Sequence, residues 1–176
     1  MASLGHVAVG MAAGRLYAAR SAQGPADGGW RRLLGLQLGL AALALLPDAD
    51  VIAFRLGIPY ADPFGHRGAS HSLLVALGLG LCCSLAASPR RRLLALALCT
   101  AIALSHGLLD SLTDGGLGVA LLWPWDHTRY FAPWRPLPVA PIGRRLLSAR
   151  GLRVMTTEFA AFLPFFVYAL WPRPRR

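Results

Sequence analysis

The chain has 176 residues, of which 55% are hydrophobic and 15% are charged, and its mean hydropathy is +0.48. This composition excludes an ordinary soluble domain of this length and indicates an integral membrane protein. The net charge of +10 comes from arginine alone, since the chain has no lysine. Short arginine runs between apolar stretches are typical of loops that meet anionic lipid headgroups. Nucleic acid, the other usual partner of a basic chain, is not expected, because the arginines are spread over loops and termini.

Five apolar stretches follow one another along the chain and predict a bundle of membrane helices. They cover residues 1–20, 33–46, 72–88, 93–109 and 154–171. The shortest of them can cross a bilayer only if its flanking tryptophan and arginine side chains reach the interface. We therefore expect an all-α, polytopic membrane helix bundle with four to five transmembrane helices, built by residues 1–176 as a single domain.

The fourth stretch ends in His106 and Asp110, which lie four residues apart and therefore on one face of a helix. Asp114 would extend that face by one turn if the helix continued so far. A neutral imidazole and a carboxylate at this spacing can bind one divalent ion. The same two groups can also form a simple hydrogen bond at a helix end, so this pair does not by itself decide between the two interpretations.

Further ligand-type residues stand at the ends of the other apolar stretches. Asp48 and Asp50 directly follow the second stretch, where carboxylates near lipid must be solvated, paired or bound to a cation. His66 and His71 precede the third stretch, and His6 lies at the start of the first. If the stretches cross the membrane in turn, all of these residues lie at one membrane face. The sequence thus predicts a metal-ligand cluster there, with a solvated loop capped by Asp48 as the alternative for the second stretch.

The arginine runs at 31–32 and 90–92 and the terminal arginines at 173–176 share the opposite face. Because such runs favour the cytoplasmic side, we expect the cluster to face away from the cytoplasm. Between the fourth and fifth stretches, residues 117–153 are rich in proline and aromatic residues, which prevents a continuous helix and suits the headgroup level. We interpret this segment as a lid at the interface, or as a structural re-entrant loop without a role in substrate binding.

Several short blocks carry a resemblance to a known family. They are HRGASHS at 66–72 and HGLLD at 106–110, which are the most specific, together with LPDAD at 46–50, LLWP at 121–124 and the early His6. With these blocks the sequence resembles the YdjM-like family of membrane-bound, predicted metal-dependent hydrolases, one member of which is regulated by LexA. The similarity runs from the N-terminus to about Trp125, and the last third matches only loosely. More remotely, the His-x-x-x-Asp pair is similar to the zinc-dependent phospholipase C and P1 nuclease group, whose second His-x-x-x-Glu pair has no counterpart in this chain.

The resemblance implies a hydrolase of the bacterial cytoplasmic (inner) membrane, and the mixed His/Asp set suits one or two divalent ions, with zinc expected. Such an ion lowers the pKa of a bound water and polarises an ester or phosphoryl oxygen. Asp50 or Asp114 would accept or orient the proton of that water, and Arg67 would neutralise a phosphate oxygen or anchor the chain to headgroups. The expected metal ligands are His6, Asp48, Asp50, His66, His71, His106 and Asp110.

A site that opens at the membrane surface beneath an aromatic lid predicts a lipid or a lipid-linked phosphoester as the substrate. Two other classes of protein remain open at this stage. A membrane metal carrier would need its ligands near the bilayer midplane with access from both sides. A structural ion that ties helix ends together would need a closed coordination shell without a position for water.

Overall fold

The computed structural model describes residues 3–20 and 29–172, and the described chain is all-α, as predicted. The glycine, proline and aspartate residues at 23–29 predict a loop, and residues 23–28 of it lie outside the described residues, as does the basic tail at 173–176. The five α-helices are α1 (Leu4–Arg20), α2 (Gly29–Leu45), α3 (Leu73–Ala86), α4 (Arg92–Ser111) and α5 (Ala149–Leu170).

Three helical segments of the described chain are long and apolar enough to cross a membrane: Gly29–Leu56, Pro89–Ser111 and Ala149–Leu170. The apolar helix α3 is shorter than these, with 14 residues. The leucines of α3 at positions 73, 74, 77, 81 and 85 are exposed on the surface of the bundle. A surface of this kind is suited to lipid, because soluble proteins rarely expose a large contiguous apolar patch.

Helix α2 does not give way to a solvated loop, as one interpretation of the sequence had it, but continues as a 3₁₀ helix over Leu46–Leu56. Pro47 explains the change, because it has no N–H to continue the α-helical hydrogen bonds. Asp48 and Asp50 therefore lie on a rigid continuation of a membrane helix. This placement fixes both carboxylates close to the end of the bundle.

The helices pack so that the starts of α1, α3 and α5 and the ends of α2 and α4 lie at the same end of the bundle, which we call the site end. Helices α1 and α5 run parallel, since the backbone N–H of Gly5 donates to Glu158 and the guanidinium of Arg15 donates to the carbonyl of Ala169. Gln37 of α2 joins this contact, because its amide donates to the carbonyls of Met11 and Ala169. At the opposite end, Arg91 donates to the hydroxyl of Tyr17.

The helix ends differ by a few residues from the apolar stretches in the sequence. Helix α4 ends at Ser111 and includes Asp110 but not Asp114, and α5 begins five residues before the predicted start at 154. Ser148 accounts for the earlier start, because its hydroxyl accepts a hydrogen bond from the N–H of Gly151 and caps the helix. Pro164 lies inside α5 without ending it.

Close backbone packing between α1 and α2 depends on Gly10. A Cβ added there would lie 2.5 Å from the Cα of Ala41, whereas a Cβ added at Gly39 would meet nothing within 4 Å. We expect Gly10→Ala to lower the melting temperature in detergent, because overpacking costs about 1–3 kcal/mol. Gly39→Ala is the matched control and should leave the melting temperature unchanged or raise it slightly. Equal melting temperatures for the two variants would contradict this packing.

The membrane orientation of the bundle stays a prediction, with the site end facing away from the cytoplasm. Exposed arginines at 31, 32 and 90–92 lie at the opposite end of the bundle, together with Trp30. A reporter enzyme that works only in the cytoplasm should therefore be active when it is fused after Arg176. A second fusion placed in the loop after Trp125 should report the other compartment, and the reverse pattern would overturn the orientation.

Candidate metal centre

The structure brings the candidate ligands of four separate segments together at the site end. His106 and Asp110 lie in the last turns of α4, and Asp48 and Asp50 lie in the 3₁₀ helix that continues α2. The remaining members come from the first turn of α1 and from the segment that leads into α3. They are His6, His66 and His71.

Four of these side chains surround one point. The Nε2 atom of His106 lies 3.2 Å from the Oδ1 of Asp48 and 3.8 Å from the Oδ2 of Asp110. The Nε2 atom of His71 lies 3.6 Å and 3.5 Å from the same two oxygens. Ligand atoms at about 2.1 Å from a tetrahedral ion are about 3.4 Å apart, so these separations match a coordination shell better than a set of hydrogen bonds. The four residues could hold a divalent metal ion.

Three ring nitrogens at or beside this point are buried and have no hydrogen-bond partner among the described residues. This holds for the Nε2 atoms of His6, His71 and His106. Buried polar atoms are almost always satisfied, and an unsatisfied group calls for an explanation such as an ion. The other ring nitrogen of His106, Nδ1, lies 2.6 Å from the carbonyl oxygen of Ala44. That carbonyl requires Nδ1 to carry the proton, which leaves the lone pair of Nε2 directed at the centre.

Asp50 lies next to this group and holds the two histidines of the HRGASHS block. Its Oδ1 is 2.6 Å from the Nδ1 of His66, and its Oδ2 is 3.2 Å from the Nδ1 of His71. The hydroxyl of Ser70 donates to the same Oδ2 at 2.5 Å, and the N–H of Arg67 donates to it at 3.1 Å. Both oxygens of Asp50 are therefore occupied by donors. Contacts of this kind fix the ring orientation and tautomer of a metal-binding histidine.

Asp50, His66 and His71 also form a second group whose ligand atoms lie close enough for an ion. In this group the nitrogen of His71 that faces Asp50 is Nδ1, whereas Nε2 faces the first group. One imidazole would have to bridge two ions if both groups were occupied. A single ion in the first group, supported by Asp50 from outside, is therefore the simpler arrangement.

The carboxylates around His71 change its protonation. Burial by itself disfavours the charged imidazole, but the carboxylates of Asp110, Asp48 and Asp50 outweigh it and raise the pKa of His71 to about 10. A raised pKa favours the charged, doubly protonated form of the ring when no metal is bound. Metal binding to Nε2 would displace the proton on that nitrogen, so protons and metal compete for the site.

Arg67 is buried and contacts the cluster directly. Its Nε lies 3.0 Å from the Oδ2 of Asp110, and its side chain is 2% exposed. Its Nη1 donates to the hydroxyl of Thr113 and to the carbonyl of Gly115. The guanidinium therefore does not extend to the headgroups as a surface anchor would. The backbone of Arg67 has a φ of 61°, in the left-handed region that few non-glycine residues adopt, and its N–H and carbonyl are both bonded.

His6 lies against the first group without belonging to the four atoms around the point. Its ring stacks on that of His106 with 3.7 Å between centroids, and its Nε2 is 3.6 Å from the Oδ1 of Asp110. The whole residue is inaccessible to solvent. His6 can therefore act as a further ligand or shield the cluster from the apolar side of the bundle.

Asp114 occupies a different environment. Helix α4 has ended before this residue, and its carboxylate is exposed and accepts a hydrogen bond from the N–H of Val139. A second hydrogen bond joins the same two segments, because the backbone N–H of Asp114 donates to the carbonyl of Leu137. The structure places Asp114 in a turn that ties the loop to the end of α4, and not beside Asp110 on a shared helix face.

A cavity of about 530 Å³ opens onto the cluster. Asp48, His66 and Arg67 are among its polar lining residues. Asp48 is the most accessible member of the four-residue group, with 23% of its side chain exposed, whereas His71 and Asp110 are almost fully buried. The cavity therefore gives a solute access to one side of the possible ion.

The irregular segment between α4 and α5 covers the HRGASHS block. The N–H of Ala120 donates to the carbonyl of Arg67, and the guanidinium of Arg129 donates to the carbonyls of Tyr60, Asp62 and His66 at 2.9–3.0 Å. No pattern in the sequence identified Arg129, because its partners are backbone atoms distant along the chain. Gly107 was missed for a similar reason, since a Cβ there would lie 2.7 Å from the carbonyl of His71.

Comparison with known proteins places these residues in a family. The family model described as YdjM inner membrane protein matches residues 1–173 of the chain. The chain belongs to the YdjM inner membrane protein family. It is 44% identical over 142 residues to the inner membrane protein YbcI of Escherichia coli (strain K12), which covers 76% of this chain and 81% of that protein. No solved structure matches the chain.

Membership of this family confirms the inner-membrane location and the resemblance found in the sequence. The match includes the HRGASHS and HGLLD blocks, which lie within the matched residues. The family description names a membrane protein and no reaction, so the chemistry of the YdjM-family cluster has to be argued from its own atoms.

The four-residue group predicts that the purified protein binds about one divalent ion per chain. His106→Ala removes one ligand and its contact with Ala44, so metal content measured by mass spectrometry should fall to background. His127→Ala is the matched control, because His127 is exposed in the loop and belongs to neither candidate group. Full metal content in the His106 variant would show that the ion, if any, lies elsewhere.

Proposed function

We propose that this protein is a membrane-bound, metal-dependent hydrolase that acts on a phosphoester or a lipid-linked ester at the membrane surface. The observation that carries the proposal is the convergence of Asp48, His71, His106 and Asp110 on one point, together with the open cavity that Asp48 lines. A buried His/Asp set that only stabilised the bundle would have no need of such access.

Each part of the site has a separate task in this proposal. A divalent ion held by the four residues would act as a Lewis acid and would lower the pKa of a water bound to it. Asp50 positions the rings of His66 and His71 through its two oxygens, which are already occupied. Arg67 balances the charge of Asp110 and contacts the same Oδ2 that faces His71 and His106. Asp48 is the carboxylate of the ligand group that reaches the cavity, so we place it nearest to the attacking water.

Two roles expected from the sequence have less support from the geometry. Asp50 is tied to four donors, which favours a positioning role over that of a free base. Asp114 is bonded to the loop backbone. Arg67 lines the cavity as well as contacting Asp110, and therefore stays a candidate to meet a phosphate oxygen.

A structural ion is the second candidate, because four protein ligands can fill a tetrahedral shell. The cavity favours the catalytic alternative, since Asp48 is accessible and an ion with a fifth position could bind water. A carrier has less support. All the ligands lie at one end of the bundle, and the described helices below them pack through buried apolar residues such as Leu40, Ala44, Cys99 and Ile102.

The test is hydrolysis of phosphoesters and lipid esters by purified protein, with and without a chelator. We expect activity that the chelator removes and that added metal restores. His106→Ala should lose nearly all of it, and Asp50→Asn should lose about 10- to 100-fold, as is typical when a contact behind a metal ligand is removed. Asp114→Asn should retain most of the activity.

The structural ion predicts a different result for the same proteins. The chelator would then lower the melting temperature, and no ester in the screen would be hydrolysed by metal-loaded protein. Activity that survives both the chelator and His106→Ala would contradict a metal-dependent mechanism altogether.

A further inference from the structure

We propose that an arginine-lined trough beside the candidate site binds the anionic headgroup of a membrane lipid and selects anionic over zwitterionic lipids. This inference deepens the proposed function and rests on it for the fate of the lipid, but the binding itself can be tested without turnover. The trough is formed by the segment 139–146 and the first residues of α5.

A second cavity, of about 470 Å³, lies beside the one that opens onto the metal cluster. The two cavities share four consecutive residues as a common wall, Val139, Ala140, Pro141 and Ile142. They therefore adjoin along this segment, and we treat them together as one depression between Asp48 and the N-terminus of α5. A molecule longer than a simple phosphate could occupy both parts at once.

The charges along this depression are nearly all positive. Arg145 and Arg150 line the outer cavity, and Arg55 and Arg67 line the inner one. Asp48 is the single acidic residue among the lining residues of both cavities. Arg145 and Arg150 are exposed, and neither has a carboxylate partner in the described chain. Two guanidinium groups without a protein anion at the membrane interface attract an anionic headgroup.

The walls of the depression are apolar, which favours a lipid over a small soluble anion. Val51 and Phe54 of the 3₁₀ helix line the inner cavity together with Ile142 and Leu146 of the later segment. Leu147, beside the trough, is 78% exposed. These residues are at the site end of the bundle, where α5 begins. A lipid could place its anionic group at the arginines and its apolar part along these side chains.

The experiment measures binding of short-chain phosphatidylglycerol and phosphatidylcholine to the full-length, chelator-treated protein in detergent. We expect the wild type to prefer phosphatidylglycerol by about 25-fold, since each arginine near an anionic lipid contributes roughly fivefold in affinity. Arg145→Gln combined with Arg150→Gln should remove this preference and leave the affinity for phosphatidylcholine unchanged.

Arg144→Gln combined with Arg153→Gln is the matched control. Both arginines are exposed neighbours of the trough, and neither lines either cavity. The control should keep the preference. An equal loss in both double variants would reduce the effect to general charge attraction and overturn the proposal, as would a wild type that binds the two lipids equally.

Turnover separates this inference from the proposed function. If metal-loaded wild type hydrolyses the anionic lipid faster than the zwitterionic one, and the Arg145 and Arg150 variant loses only that difference, both proposals hold. If the binding preference is present but no ester is hydrolysed, the proposed function fails and the trough stands as a lipid-binding site. If metal-loaded wild type hydrolyses an ester but binds the two lipids equally, the proposed function holds and the proposed lipid-binding trough fails.

Discussion

The cost of burying charge at the end of an apolar bundle governs this structure. Asp110 is almost inaccessible to solvent, and an ionised carboxylate without compensation there would cost several kcal/mol. Arg67 supplies one compensating charge, and the imidazoles of His6, His71 and His106 surround the rest. Three of their ring nitrogens have no hydrogen-bond partner in the described part of the chain, which leaves room for a further positive charge. A divalent cation would complete this arrangement.

Much of the fold followed from patterns that are local in the sequence. The apolar stretches identified all five helices, because a lipid-exposed helix needs a continuous apolar run. The spacing of His106 and Asp110 placed both on one face of α4, and the alternation of helix directions brought Asp48 and His71 to the same end. The residues of the cluster could therefore be named without knowledge of the packing.

The contacts behind the cluster could not be predicted in the same way. The pairing of Asp50 with His66, the burial of Arg67 against Asp110 and the contacts of Arg129 with loop carbonyls all join distant segments. Arginine at a membrane interface usually extends to headgroups, so sequence reasoning had no reason to bury Arg67. Helix ends were displaced where a single residue such as Ser148 supplied a cap.

Pro47 has a consequence for the chemistry of the site as well as for the path of the chain. In a 3₁₀ helix each N–H bonds to the carbonyl three residues earlier, and for position 47 that carbonyl belongs to Ala44. Proline has no N–H, so the donor that a 3₁₀ helix would supply to this oxygen is missing, and the Nδ1 of His106 lies 2.6 Å from it. A residue that interrupts a membrane helix thus selects the tautomer of a histidine on another helix, and with it the nitrogen that is offered to a metal.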